Sequence, residues 1–217
     1  MDGQVFWDTE AENASKEDFL RFQNYMDPKL PILDLGCGNG RQTRFLAQHF
    51  KIAIGADVSP SAIHLAVSET PQEKNVFYRV LDAVNTERAS ALHDEFGDMN
   101  IYMRGVLHMI KRRDRANFIT SLEILLGERG VLYQIELASE SILHLRALPE
   151  DVFAQIPKVA RRVGFDAQER EMFYPESRWM ILSEGDGVAI RSIPLADGKE
   201  DAMPANYLIL KRRFSSD

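Results

Sequence analysis

A chain of 217 residues, 45% of them hydrophobic, is long enough for one domain with a complete sheet-and-helix core. Its net charge of −7 excludes a broad basic face, and with it the recognition of a nucleic-acid backbone over an extended surface; Lys111-Arg112-Arg113 and Lys211-Arg212-Arg213 read as solvated element ends. A single cysteine, Cys37, excludes an intrachain disulfide and a cysteine-built zinc centre, and no metal is expected.

The opening MDGQVFWDTE is acidic and lacks a signal-peptide pattern, and no run reaches membrane-spanning length, so a cytoplasmic protein without membrane contact is expected. Phe6 and Trp7 precede a helix predicted to start at Ser15, with the Ser15 hydroxyl as cap and Asp18 in the first turn. Phe19, Phe22, Tyr25 and Met26 then recur at helical spacing.

Pro31 to Phe50 carries the strongest signal. Ile32, Leu33 and Leu35 form the apolar run of a strand covered on both faces, and a helix predicted over Arg41–Phe50 puts Phe45, Leu46, His49 and Phe50 on one side. Between them Gly36-Cys37-Gly38-Asn39-Gly40 removes side chains where the backbone turns tightly and where a bulky ligand could lie against it. Unpaired N–H groups at the start of that helix favour a carboxylate, hydroxyl or phosphate there. A dinucleotide fingerprint would place its last glycine where this chain has Arg41, so the fit to that motif is imperfect. Cys37 reads as a small packing residue, because no neighbouring feature supplies an activating base.

A second strand, Ile52 to Ala56, ends at Asp57, with Ser59 as N-cap and Pro60 at the first position of the next helix. An acidic residue about 20 positions after the glycine turn can accept from both hydroxyls of a ribose, in either a dinucleotide or an adenosyl cofactor. Val76 to Val80 reads as a third strand, with Asp82-Ala83 beyond its carboxyl end, then a helix over Glu87–Phe96 with Ala91, Leu92 and Phe96 inward. The fourth strand, Asn100 to Met103, leads into Arg104-Gly105-Val106-Leu107-His108-Met109-Ile110. Arg112 to Leu126 is amphipathic through Phe118, Ile119, Leu122, Leu125 and Leu126 and is stopped by Gly127; Gly130 to Leu137 is the fifth strand. His108 reads either as a base facing a substrate or as a histidine packed at a helix start, and Glu136 either as a polar group at a substrate mouth or as a solvated strand end.

Leu148-Pro149-Glu150-Asp151 is predicted to open a helix interrupted at Pro157, and a short helix comes next over Asp166–Phe173. Trp179 to Ser183 and Asn206 to Arg213 read as the last two strands, with Glu184-Gly185-Asp186-Gly187 and Ala196-Asp197-Gly198-Lys199 as turns in a long connection.

Asp34-Leu35-Gly36-Cys37-Gly38-Asn39-Gly40 resembles motif I of the class I, Rossmann-like S-adenosylmethionine-dependent methyltransferases, and Arg104 to Ile110 resembles the Arg-x-x-Leu-His-x-Ile pattern of that family's fourth motif. The family more often begins the fourth strand with aspartate, for which Asp98 and Asn100 are the nearest candidates. The resemblance implies a three-layer α/β fold with a mainly parallel seven-stranded sheet in the order 3-2-1-4-5-7-6, the last strand antiparallel. It also implies one domain: a helical cap segment over residues 1–30, a cofactor-binding core over 31–137, and a variable substrate-side segment with a C-terminal hairpin over 138–217. Cofactor contacts are implied at Asp34, Gly36, Cys37, Gly38, Asp57, Val58, Asp82, Ala83, Arg104 and Gly105, with Asp82 on the adenine and the backbone of Arg104 and Gly105 beside the methionine part. His108 and Glu136 are the candidate catalytic residues, and the N-terminal segment could serve as a lid.

The expected function is in-line transfer of a methyl group from S-adenosyl-L-methionine, yielding S-adenosyl-L-homocysteine, to a small molecule that is free or tethered to a carrier, with no nucleic-acid partner. The alternatives are a non-catalytic S-adenosylmethionine-binding or scaffold protein and an NAD-dependent oxidoreductase. The acceptor atom and the oligomeric state stay open.

Overall fold

The structure is a computed structural model and describes residues 11–70, 73–147, 150, 154, 164–191 and 202–214. Seven strands form one sheet: β1 (Ile32–Leu35), β2 (Ala53–Asp57), β3 (Val76–Val80), β4 (Asn100–Arg104), β5 (Val131–Leu137), β6 (Trp179–Arg191) and β7 (Ala202–Arg212). Their order is β3-β2-β1-β4-β5-β7-β6, as the family resemblance implies. The pairs among β1 to β5 are parallel, whereas β7 runs antiparallel to both β5 and β6. The helices are α1 (Ala11–Phe22), α2 (Arg41–Leu46), α3 (Pro60–Ser68), α4 (Thr86–Phe96), α5 (Arg115–Leu126), α6 (Ser141–Ala147) and α7 (Ala167–Phe173).

The sequence builds two cores, one on each face of the sheet. Leu33, Leu35, Ile101 and Met103 turn to one face and pack with Ala89 and Leu92 of α4, with Phe118, Leu122 and Leu125 of α5, and with Trp179 and Tyr174. The alternate residues Ile32, Tyr102, Tyr133 and Ile135 turn to the other face, where Phe22, Met26, Leu46 and Phe50 cover them. That alternation, with both faces apolar, is what a parallel sheet sandwiched between helices requires. Side chains that differ by one position in a strand therefore serve opposite layers.

Several expectations are corrected. α1 includes Ser15 in its interior, so the Ser15 hydroxyl is no cap; it is 1% exposed and without a hydrogen-bond partner among the described residues. Tyr25 points outward while Met26 is buried. α2 stops at Leu46 and continues as turns to Phe50, although Phe19 and Phe45 still meet the His49 ring. In α4 it is Ala89, not Ala91, that joins Leu92 inside. A short 3-10 turn over Arg112–Asp114 precedes α5. The expected turn at Glu184-Gly185-Asp186-Gly187 lies within β6, as an irregularity in the register between Gly185 and Val188 with Gly187 at φ 70°. Such a bulge absorbs turn-type residues without ending the strand. Phe6 and Trp7, residues 1 to 10 of the possible lid, the Leu148-Pro149 helix start, Pro157 and the Ala196 to Lys199 turn lie outside the described residues.

Candidate active site

The carboxyl ends of β1, β2, β3 and β4 form one edge, and the residues expected to contact the cofactor lie at those strand ends, with Asp34 and Cys37 turned into the interior. Gly36, Gly38 and Gly40 all take positive φ, at 81°, 53° and 78°. Their surroundings differ. A side chain on Gly36 would strike Val106 and one on Gly40 would strike the Tyr78 ring, whereas nothing lies within 4 Å of the position a Cβ would take on Gly38. Gly36 and Gly40 are thus required by packing within the protein, and the open space lies over Gly38.

Asp57 ties this loop to the end of β2. Its Oδ2 accepts from the Gly38 amide at 3.1 Å and its Oδ1 from the Ser59 amide at 2.9 Å. Each oxygen retains a lone pair for a further donor, such as a ribose hydroxyl. Val58 beside it is 64% exposed. At the end of β3, exposed Asp82 accepts from the Val84 amide at 3.0 Å, while Ala83 is buried.

Asp34 points to the α2 side, where Thr43 Oγ1 donates to it at 2.5 Å. Burial raises its pKa to about 7 against the opposing effect of the Thr43 bond, with a smaller contribution from the charge of Asp57. Burial first, and then Asp34 and Asp57, push the Cys37 thiol well above its ordinary range, which fits a packing residue and not a nucleophile.

Farther along the edge, His108 and Glu136 meet. His108 Nδ1 lies 2.8 Å from Glu136 Oε2, and the Leu107 amide donates to Glu136 Oε1 at 2.5 Å. Glu136 is 1% exposed, so it is not a solvated strand end. The Leu107 amide is a fixed donor to it, and His108 in its Nδ1–H tautomer supplies a second. With Nδ1–H given to the carboxylate, the His108 lone pair sits on Nε2, which is buried and has no partner among the described residues. The ring also packs at the turn after β4: a Cβ on Gly105 would come 3.7 Å from His108 Cε1.

On the opposite face of the same strands lies a cluster that sequence reading missed. Asp18 of α1 is 1% exposed and accepts four hydrogen bonds, from Tyr102 at 2.8 Å, Tyr133 at 2.7 Å, Arg104 at 2.6 Å and Arg21 at 3.0 Å. The signal was present: Ser15, Asp18, Phe22 and Met26 share a buried stripe, and a carboxylate on an apolar stripe must find partners. Thr43, the partner of Asp34, was also missed.

Among the described residues, no group of three or more His, Cys, Asp or Glu could hold a metal ion, and no helix is long and apolar enough to cross a membrane.

The family model described as a methyltransferase domain matches residues 32–130. No curated protein matches the chain's sequence. Among solved structures, an S-adenosylmethionine-dependent methyltransferase from Anabaena variabilis is 39% identical with a TM-score of 0.84, over 96% of this chain and 88% of that one. A Methanosarcina mazei S-adenosylmethionine-dependent methyltransferase shares the fold at 17% identity and TM-score 0.62, over 90% of this chain and 98% of that one. The N-methyltransferase NodS from Bradyrhizobium japonicum, solved with S-adenosyl-L-homocysteine, shares it at 15% identity and TM-score 0.59, over 95% and 90% of the two chains. Identity sustained over almost the whole of both chains, joined to the strand order and the glycine turn, shows that this chain belongs to the class I S-adenosylmethionine-dependent methyltransferases.

Proposed function

We propose that the chain transfers a methyl group from S-adenosylmethionine to a small-molecule acceptor that gives up a proton as it reacts, with His108 as the base and Glu136 as the residue that orients it. The carrying observation is the buried His108–Glu136 pair, whose Nε2 has no partner among the described residues, beside the Gly105 turn.

The residues present fit the cofactor. Open space over Gly38, and an Asp57 carboxylate held by two amides with lone pairs to spare, make a cradle that a side chain at position 38 would fill. Asp57 would hold the ribose hydroxyls, Asp82 the adenine amino group, and Gly36 to Gly38 the chain between, with Val58 and Ala83 flanking the base. When bound, S-adenosylmethionine supplies a methyl group on a positively charged sulfur together with its leaving group. The protein's part is orientation, water exclusion and, for a hydroxyl or acidic carbon, removal of a proton by His108 Nε2 while Glu136 stabilises the imidazolium that results.

A small acceptor, free or tethered to a carrier, is supported by a cleft of about 860 Å³ bounded by α7 and the β6–β7 hairpin. Asn206, the register partner of Glu136, lines it, so the cleft adjoins the same strand end. Glu140, Asp166, Glu184 and Asp186 face it with Arg170, a charge balance that opposes a phosphate backbone. A cytoplasmic setting accords with this chemistry.

The test has two stages. Calorimetric titration with S-adenosylhomocysteine, with NAD as control, should show binding of the former alone. Release of S-adenosylhomocysteine from S-adenosylmethionine is then measured across a panel of small hydroxyl, amine, thiol and acidic-carbon compounds. Release driven by a hydroxyl or acidic-carbon acceptor that survives intact in His108→Gln refutes the base assignment, and cofactor binding without release from any acceptor favours a binding protein.

A further inference from the structure

Arg104 is the last residue of β4, and its guanidinium lies on the α1 side of the sheet with the side chain 14% exposed. Leu35 pairs with Met103, so Arg104 stands beside Gly36 at the head of the glycine turn. Its Nη1 donates to Asp18 at 2.6 Å, and this is the one hydrogen bond that the Arg104 side chain makes among the described residues. A guanidinium carries five N–H donors, so four remain for another acceptor. Asp18 is meanwhile satisfied by Arg21, Tyr102 and Tyr133 in addition to Arg104. A nearly buried arginine with most of its donors unspent, against a carboxylate already supplied with others, is more than that carboxylate needs.

The sheet order indicates what the spare donors meet. Taking β3, β2, β1 and β4 in sequence along the edge, the adenine end belongs at Asp82, the ribose at Asp57, and the amino-acid end over β1 and β4. That end carries a carboxylate, whose planar pair of oxygens suits a guanidinium fork. We propose that the Arg104 side chain binds the amino-acid carboxylate of the cofactor and that Asp18 is a positioning residue which fixes its guanidinium, making α1 part of the cofactor site.

The inference rests on the cofactor residues assigned above and goes beyond them, because the family resemblance places only the backbone of Arg104 near the cofactor. Tyr102 and Tyr133 complete the device: each donates its hydroxyl to Asp18 from a neighbouring strand, so the carboxylate is held from β4 and β5 at once. Burial acts to lower the pKa of Arg104, but Asp18 and the two tyrosines outweigh it and keep the guanidinium charged.

The test compares S-adenosylhomocysteine with 5′-methylthioadenosine, which keeps the adenine, ribose and thioether but lacks the amino-acid end. Arg104→Gln should weaken S-adenosylhomocysteine about 10- to 100-fold and leave 5′-methylthioadenosine within about twofold. Asp18→Asn should lower the same ratio by a smaller factor, which a purely structural role would not do. If Arg104→Gln does not fold, Arg104→Lys keeps a cation opposite Asp18 while losing the fork, and it should still lower the ratio. An unchanged ratio in Arg104→Gln, or in Arg104→Lys where that variant stands in for it, overturns the proposal, as does a parallel loss of both ligands in a folded variant. Wild-type protein that binds neither ligand overturns the cofactor residues assigned above and this inference with them.

Discussion

The Gly38 amide is hydrogen-bonded to Asp57 Oδ2 at 3.1 Å, so the turn after β1 and the end of β2 are one unit. Removing the carboxylate takes away both this tie and the acceptor proposed for the ribose. Asp57→Ala should weaken S-adenosylhomocysteine by about 2 kcal/mol or more, because two hydroxyls lose a charged acceptor. Asp57→Asn, which keeps one acceptor oxygen, should fall between. Titration calorimetry measures both, and wild-type affinity in Asp57→Ala would remove this residue from the site.

Gly38 and Gly40 share a left-handed backbone but should fail differently. A side chain at position 38 meets nothing in the protein, so Gly38→Val should lose cofactor binding and cost only the backbone strain of about 1–2 kcal/mol. A side chain at position 40 runs into the Tyr78 ring, so Gly40→Val should lower the melting temperature markedly more. Thermal unfolding beside a binding titration separates the two, and equal melting temperatures would contradict this division of roles.

The parts of the molecule that could be read from sequence are those carried by short-range patterns. Gly36 to Gly40 and Asp57 are fixed by spacing, and the strands up to Leu137 are apolar runs bounded by turns, so the sheet order becomes readable once the family resemblance is noticed. What escaped depends on residues far apart in the chain. Asp18 meets Tyr102, Arg104 and Tyr133 only because β4 and β5 lie side by side beneath α1. Glu136 stands in a buried strand, Val131 to Leu137, that is apolar apart from Gln134, which signals a buried acid in need of a partner but does not name His108. Glu184 to Gly187 misled because turn residues also build bulges, and only the pairing with β7 distinguishes the two.

His108 and Glu136 should act as one unit in turnover and not in cofactor binding. His108→Gln should reduce methyl transfer to a hydroxyl acceptor by about 10²- to 10⁴-fold, with S-adenosylhomocysteine affinity unchanged. Glu136→Gln has one oxygen for two donors, His108 Nδ1–H and the Leu107 amide, and loses the charge that stabilises the imidazolium, so it too should lower turnover and should alter the pH profile of kcat. An equal loss of affinity in both variants would recast the pair as structural. A thiolate acceptor, which arrives already deprotonated, should be insensitive to either change.

Asp34 makes a prediction about pH. Its ordinary pKa of 3.8 is raised to about 7 in the folded protein, chiefly by burial. An acid whose folded pKa lies above its unfolded value holds its proton more tightly when folded, so it contributes stability that is complete below the unfolded pKa and is lost as pH rises through the folded one. The window is therefore from about pH 4 to about pH 7. Across it, wild-type stability should decline relative to Asp34→Asn by an amount on the order of 4 kcal/mol at most. The Asp57 charge adds to the shift, so Asp57→Asn should move the window toward lower pH. Urea unfolding at several pH values reads all three proteins. Wild-type and Asp34→Asn curves that stay parallel from pH 4 to 7 would show that Asp34 titrates at its ordinary value and that the Thr43 hydrogen bond offsets its burial.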